Sequence, residues 1–272
     1  GFEEFARRHK SWFQQSAVRS GQTIFILTQK LGLDSQRTAA DAESYPITFC
    51  CGDEQHTCDS VFNVCLAVHD VDHITERVRS NNGRILREPA TIQAVRTAVV
   101  GSCCGNVVHT IIQAPEEPFE HFLPGFQAVA GDVACPNAVT SHMDHVTYVC
   151  QTGESHGIID WYRRCFGMVR FLVNPKETLD DGIVIEEEVG MRMMVGEWMS
   201  EWLCRENGIQ FPMSTTAEVQ LEEEDIQEDK LNFKLVLAEP LDGRNDSHVQ
   251  KFLDVHGGPG LQHIGLTTYD MV

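Results

Sequence analysis

In Gly257-Gly258-Pro259-Gly260-Leu261-Gln262-His263-Ile264-Gly265-Leu266, a glycine-rich turn launches an apolar run that carries one imidazole, flanked by an amide. Met143-Asp144-His145-Val146-Thr147-Tyr148 is a second strand-like run, again with a histidine at its third position. A lone histidine on an apolar strand is more often a hydrogen-bonded core residue than a ligand. Two similar strands that each offer one nitrogen donor make His145 and His263 a candidate metal-binding pair. Asp144, by strand alternation, falls on the opposite face from His145 and is assigned no role, nor is Tyr148.

Internal comparison extends the pattern. Asn63-Val64-Cys65-Leu66-Ala67-Val68-His69-Asp70-Val71 aligns without a gap with the run from His263 to Met271, so a unit is repeated and Asn63 stands where the later copy has His263. The first half then reads as structural and the second as the part that binds metal. Phe62–Val68 reads as a strand. Val71, Ile74 and Val78 recur at helical spacing until Asn81-Asn82-Gly83, and Val95–Val100 with Val107–Ile112 form a hairpin around Gly101–Gly105. The second half repeats the order: strand Met143–Cys150, then helix Ile158–Phe166 ended by Gly167. Strands at Met168–Val173, Ile183–Val189, Met191–Val195 and Leu231–Leu237 follow, and then a helix from Ser247 to Gly257. The fold class is α+β.

A formal net charge of −19 repels phosphate backbones, and no Lys/Arg cluster interrupts it, which excludes nucleic acid as a partner. No apolar run approaches the roughly 20 residues of a membrane-spanning helix. The ten cysteines include the adjacent pairs Cys50-Cys51 and Cys103-Cys104 but no C-x-x-C spacing. Reduced thiols in an intracellular protein are the reading. The acidic run Glu222-Glu223-Glu224-Asp225 reads as a solvated loop, and Glu186-Glu187-Glu188, inside a strand pattern, is a remote source of a stand-in ligand. A segment with Pro and Gly from Pro115 to Ser141, containing Phe122-Leu123-Pro124-Gly125-Phe126, divides the chain. The expected domains are 1–114, a linker over 115–141, and 142–272. Opening on Gly1 and stopping at Val272 within an apolar pattern, the chain is expected to be a fragment, any targeting segment lying before it.

His145, His263, the glycine turn at 257–260 and the Phe122–Phe126 segment together resemble the 4-hydroxyphenylpyruvate dioxygenase family, over most of the chain. That resemblance implies the vicinal oxygen chelate fold, built from repeated βαβββ modules in two domains, here with the first module incomplete and the C-terminal module truncated. It implies Fe(II) held by two histidines and a glutamate: His145 and His263 supply the imidazoles, and the glutamate is expected beyond Val272, leaving the fragment itself inactive. Such a set occupies one face of an octahedral ion and leaves three positions for a 2-oxo acid and O2. The implied reaction is oxidative decarboxylation of 4-hydroxyphenylpyruvate with hydroxylation, with no catalytic residue beyond the metal ligands. Gln262 and Gln250 are the implied substrate-binding amides, although a capping box with Ser247 also explains Gln250.

Two positions depart from the family. Ala238 precedes Glu239-Pro240 where the family carries Asn, and Met193 follows Arg192 where it carries Ser. With Leu235-Val236-Leu237-Ala238-Glu239, these departures resemble the branch of animal 4-hydroxyphenylpyruvate dioxygenase-like proteins. That branch implies a mitochondrial enzyme making 4-hydroxymandelate for the ubiquinone ring. The alternatives are a homogentisate-forming dioxygenase of tyrosine catabolism and a catalytically silent binding protein of the same fold, and the alternative location is cytoplasmic. A homodimer is left open.

Overall fold

The computed structural model describes residues 1–10, 13–31, 59–113, 122–129, 139–175, 177–185, 190–197, 233–243 and 247–268. Both acidic clusters of the sequence, at 186–188 and 222–229, lie outside them. Three sheets form. The first is an antiparallel meander of β1 (Glu3–His9), β2 (Phe13–Ser20) and β3 (Thr23–Lys30), to which β8 (Gln127–Ala128) adds on the β1 edge. The second runs in the order β4 (Leu66–Ala67), β7 (Val108–Gln113), β6 (Val95–Gly101), β5 (Ile85–Ile92). The third and largest has the order β10 (Val169–Phe171), β12 (Met191–Glu197), β13 (Lys234–Pro240), β9 (Thr140–Val149), β14 (Gly260–Thr268), with β11 (Ile183–Ile185) also paired to β12.

The repeat read from the sequence is a repeat of winding. In the second sheet the chain leaves β4 through helix α1 (Val71–Ser80), builds β5 and β6, and returns as β7 parallel to β4. In the third it leaves β9 through helix α2 (Ser155–Phe166) and returns as β13 parallel to β9. Local chemistry sets the helix ends. Asp70 accepts from the His73 amide to start α1, and Gly167, at φ 69°, closes α2 in the left-handed conformation that costs glycine least. Helix α3 (His248–His256) starts at Ser247, whose hydroxyl accepts from the Gln250 amide, and ends at Gly257. Only half of the expected capping box forms, because the Gln250 side chain donates to Asp254 one turn on.

Strand β5 and the β1–β3 meander are absent from the sequence reading. β5 carries Pro89 and two charged residues on a half-buried strand, and β1 alternates around Arg7 and Arg8, so neither shows a run of apolar residues. The strand expected over Phe62–Val68 shrinks to Leu66–Ala67 with isolated bridges at Val61 and Asn63. Within the segment at 115–141, the described residues are packed: Phe122 stands edge-on to Phe5 at 4.9 Å and Phe126 edge-on to Phe122 at 5.4 Å.

The main core joins both halves. Val68, Ile74 and Val100 pack in one cluster with Val146, Tyr148, Trp161 and Leu235. A polar chain crosses the same core. The buried His109 donates from Nδ1 to the Val64 carbonyl (2.9 Å), so its Nε2 accepts from the Tyr162 hydroxyl (2.7 Å), whose oxygen accepts from Ser102 (2.7 Å). Burial lowers the His109 pKa to about 4. The folded state therefore refuses a proton that the unfolded chain binds near pH 6.5, and this contribution, full above that value, is lost as pH falls toward 4. Urea unfolding should show about 2 kcal/mol less stability at pH 5 than at pH 7.5 from this group, and His109→Gln should flatten that slope.

Candidate metal centre

β9 and β14 are adjacent and antiparallel, so the two candidate ligands meet across one ladder. The ladder is not regular. Leu261 faces Tyr148 but His263 faces Thr147, which leaves Gln262 as an extra residue in β14. Gly265 faces His145 but Leu266 faces Met143, which leaves Asp144 as an extra residue in β9. Each is a β-bulge, and a bulge breaks the alternation that sends neighbouring side chains to opposite faces. As a result Asp144 lies beside His145, not behind it as alternation predicts, and Gln262 lies beside His263. The two imidazoles stand edge to face with ring centroids 5.6 Å apart. Gly265, opposite His145, makes this possible: a Cβ there would overlap the His145 ring.

The bulges supply each histidine with an acceptor from the residue before it. His145 Nδ1 donates to the Asp144 carboxylate at 2.8 Å, and His263 Nδ1 donates to the Gln262 amide oxygen at 3.1 Å. Both rings therefore keep the lone pair on Nε2, the atom left to act as donor. The hydrogen bond from His145, with that from Lys234, holds the Asp144 carboxyl well below its usual range. Burial, reinforced by His145 and His248, lowers the pKa of His263, which favours the neutral ring that a metal requires. Thr147 Oγ1 lies 3.0 Å from His263 Nε2 and donates to it. A metal at Nε2 would replace that hydrogen bond.

The pair opens on a half-open cavity of about 350 Å3. Alternation along the third sheet builds its wall: Met191, Met193 and Val195 from β12, Lys234, Val236 and Ala238 from β13, His145 and Thr147 from β9. Met193 and Ala238 face each other across the ladder, so the two departures noted in the sequence are one contiguous apolar patch. Gln262 lines the cavity with His263. Gln250 does not, among the described residues; its amide is held by Asp254 on the outer side of α3, while His248, two residues earlier, faces the cavity. The sequence reading missed His248 because the periodicity of a short helix fixes which residues are buried, and the cavity lies to one side of that buried stripe.

Known proteins resemble this chain in sequence and in fold. No family model matches the chain. A mouse 4-hydroxyphenylpyruvate dioxygenase-like protein is 30% identical over 279 residues, which takes in 100% of this chain and 64% of the relative. A zebrafish 4-hydroxyphenylpyruvate dioxygenase is 26% identical over 222 residues, covering 79% of this chain and 47% of its own length. Among solved structures, a variant of 4-hydroxymandelate synthase from Streptomyces coelicolor superposes with a TM-score of 0.64 over 98% of this chain and 63% of its own, at 18% identity. Over its whole length the chain is similar to proteins of the 4-hydroxyphenylpyruvate dioxygenase family. Its fold is the vicinal oxygen chelate fold of that family, and it spans 64% of the mouse relative's length.

Fe(II), which the family resemblance implies, fits the donor chemistry here in part. Two imidazoles with oriented Nε2 atoms suit it, whereas among the described residues no group of three His, Cys, Asp or Glu side chains is placed to hold an ion. The geometry makes a sharp demand on Gly265. Gly265→Ala should push the His145 ring aside and weaken Co(II) binding at least tenfold, measured by titration of the metal-free full-length protein, with the circular dichroism spectrum kept. Unchanged affinity would remove Gly265 from the account.

Proposed function

We propose that this chain forms the iron-binding part of a dioxygenase that converts 4-hydroxyphenylpyruvate and O2 to 4-hydroxymandelate and CO2. The observation that carries the reading is the pair of oriented imidazoles at one side of an apolar cavity whose volume suits a single-ring substrate. His145 and His263 would hold Fe(II) through Nε2, with a glutamate outside the described residues as third ligand. Fe(II) bound there supplies a site where the 2-oxo acid is chelated and O2 is activated. Phe171, Val173, Val195 and Val236 give the aromatic ring an apolar wall and keep water from it, and the Gln262 NH2 group, its oxygen being held by His263, can donate to the substrate.

The product is taken from the likeness to the animal branch, and what the wall lacks supports it. Asn and Ser in the family give the ligand two hydrogen-bonding groups, each worth about 1–3 kcal/mol when its partner is buried. Met193 and Ala238 offer neither, so the far end of the substrate is held by shape alone, and in this reading oxidation falls on the benzylic carbon. Mitochondrial location and supply of the ubiquinone ring belong to the proposal on the strength of the likeness to the animal branch.

The full-length protein, loaded anaerobically with Fe(II) and mixed with 4-hydroxyphenylpyruvate and O2, is expected to release 4-hydroxymandelate, identified by chromatography. Homogentisate, an isomer of that product, would move the reacting carbon to the ring and refute the role given to Met193 and Ala238. An iron-loaded protein that leaves the keto acid untouched would favour a silent binding protein.

A further inference from the structure

The bulge at Asp144 places a charged side chain that strand alternation would have sent to the other face directly against His145. Asp144 is not alone there. Lys234 on the neighbouring parallel strand β13, in register with His145, donates from Nζ to Asp144 Oδ1 at 2.9 Å, while Asp144 Oδ2 accepts from His145 Nδ1. One carboxylate thus spans an ammonium and an imidazole, one oxygen each. The side chains are partly sheltered, at 19% exposure for Lys234, 34% for Asp144 and 28% for His145. Asp144 is exposed enough to rotate into water, and Lys234, whose stem lines the cavity wall, pins it against that rotation. His263 has no equivalent: its acceptor is the neutral amide of Gln262.

We propose that Lys234 and Asp144 form a positioning dyad that fixes the orientation and tautomer of His145, so that the two histidines are held by unequal means. The charged dyad makes His145 the rigid anchor of the centre, and the amide and hydroxyl around His263 leave that ring freer to adjust when a ligand arrives. Outer partners of this kind commonly matter by 10–100-fold in metal affinity. The inference rests on the reading of His145 and His263 as metal ligands. Lys234 acts only through Asp144, which sets the form of the test.

Co(II) is titrated into the metal-free full-length protein and followed by its visible absorption, with His145→Ala as reference. Asp144→Asn and Lys234→Met should each weaken Co(II) affinity about 10–100-fold, with Lys234→Arg restoring most of the loss through a retained cation. The double variant should be no weaker than Asp144→Asn alone, because the lysine reaches His145 only by way of that carboxylate. Additive losses would show that Lys234 works independently and would overturn the dyad. So would affinities within threefold of the wild type in both single variants while His145→Ala abolishes binding. A wild-type protein that binds no Co(II), or a His145→Ala variant that binds as well as wild type, would overturn the two-histidine centre and the dyad with it.

Discussion

The bulged ladder between β9 and β14 is the constraint on which the site depends. A regular antiparallel pair would set Asp144 and Gln262 on the faces opposite their histidines, leaving both rings without the acceptors that choose their tautomers. One extra residue in each strand turns two ordinary neighbours into orienting groups. The same irregularity sets His145 over Gly265, where the missing Cβ gives the ring its room. Bulges carry a cost in unpaired backbone, and here the parallel partner β13 and the glycine turn at 257–260 brace the strands on either side.

The bracing reaches into the other half of the chain. Asn106 stands 3.3 Å from His256, the last residue of α3, and Gly105 lies so close to the Pro259 carbonyl that a side chain there would collide with it. Val61 bridges to Leu261 at the start of β14. The first half of the chain therefore touches the turn and the strand that carry His263.

The parts of this arrangement written in local sequence were readable. Helix ends at Ser247, Gly167 and Gly257 follow from side-chain and backbone chemistry within a few residues, and the repeat at Asn63 and His263 shows in the alignment of two runs. The pairing of His145 with His263 was readable too, since both sit at like positions in like strands. What escaped depended on register. Asp144 was misplaced because a bulge is a property of two strands together and leaves no mark in either alone. His248 went unnoticed because the exposed faces of a short helix look alike until a neighbouring sheet defines which of them borders a cavity. In the β1–β3 meander, also missed, Arg8 is buried against the Phe126 ring, which the apolar pattern cannot register.

The central claim, that the bulges orient both imidazoles by giving each an acceptor at Nδ1, is tested most directly by a long-range proton–nitrogen correlation spectrum. The sample is metal-free protein labelled with nitrogen-15 histidine, recorded near pH 8, with His145 and His263 assigned from single substitutions. The account predicts that both rings carry hydrogen on Nδ1 and a bare Nε2. A hydrogen on Nε2 of either ring would contradict it.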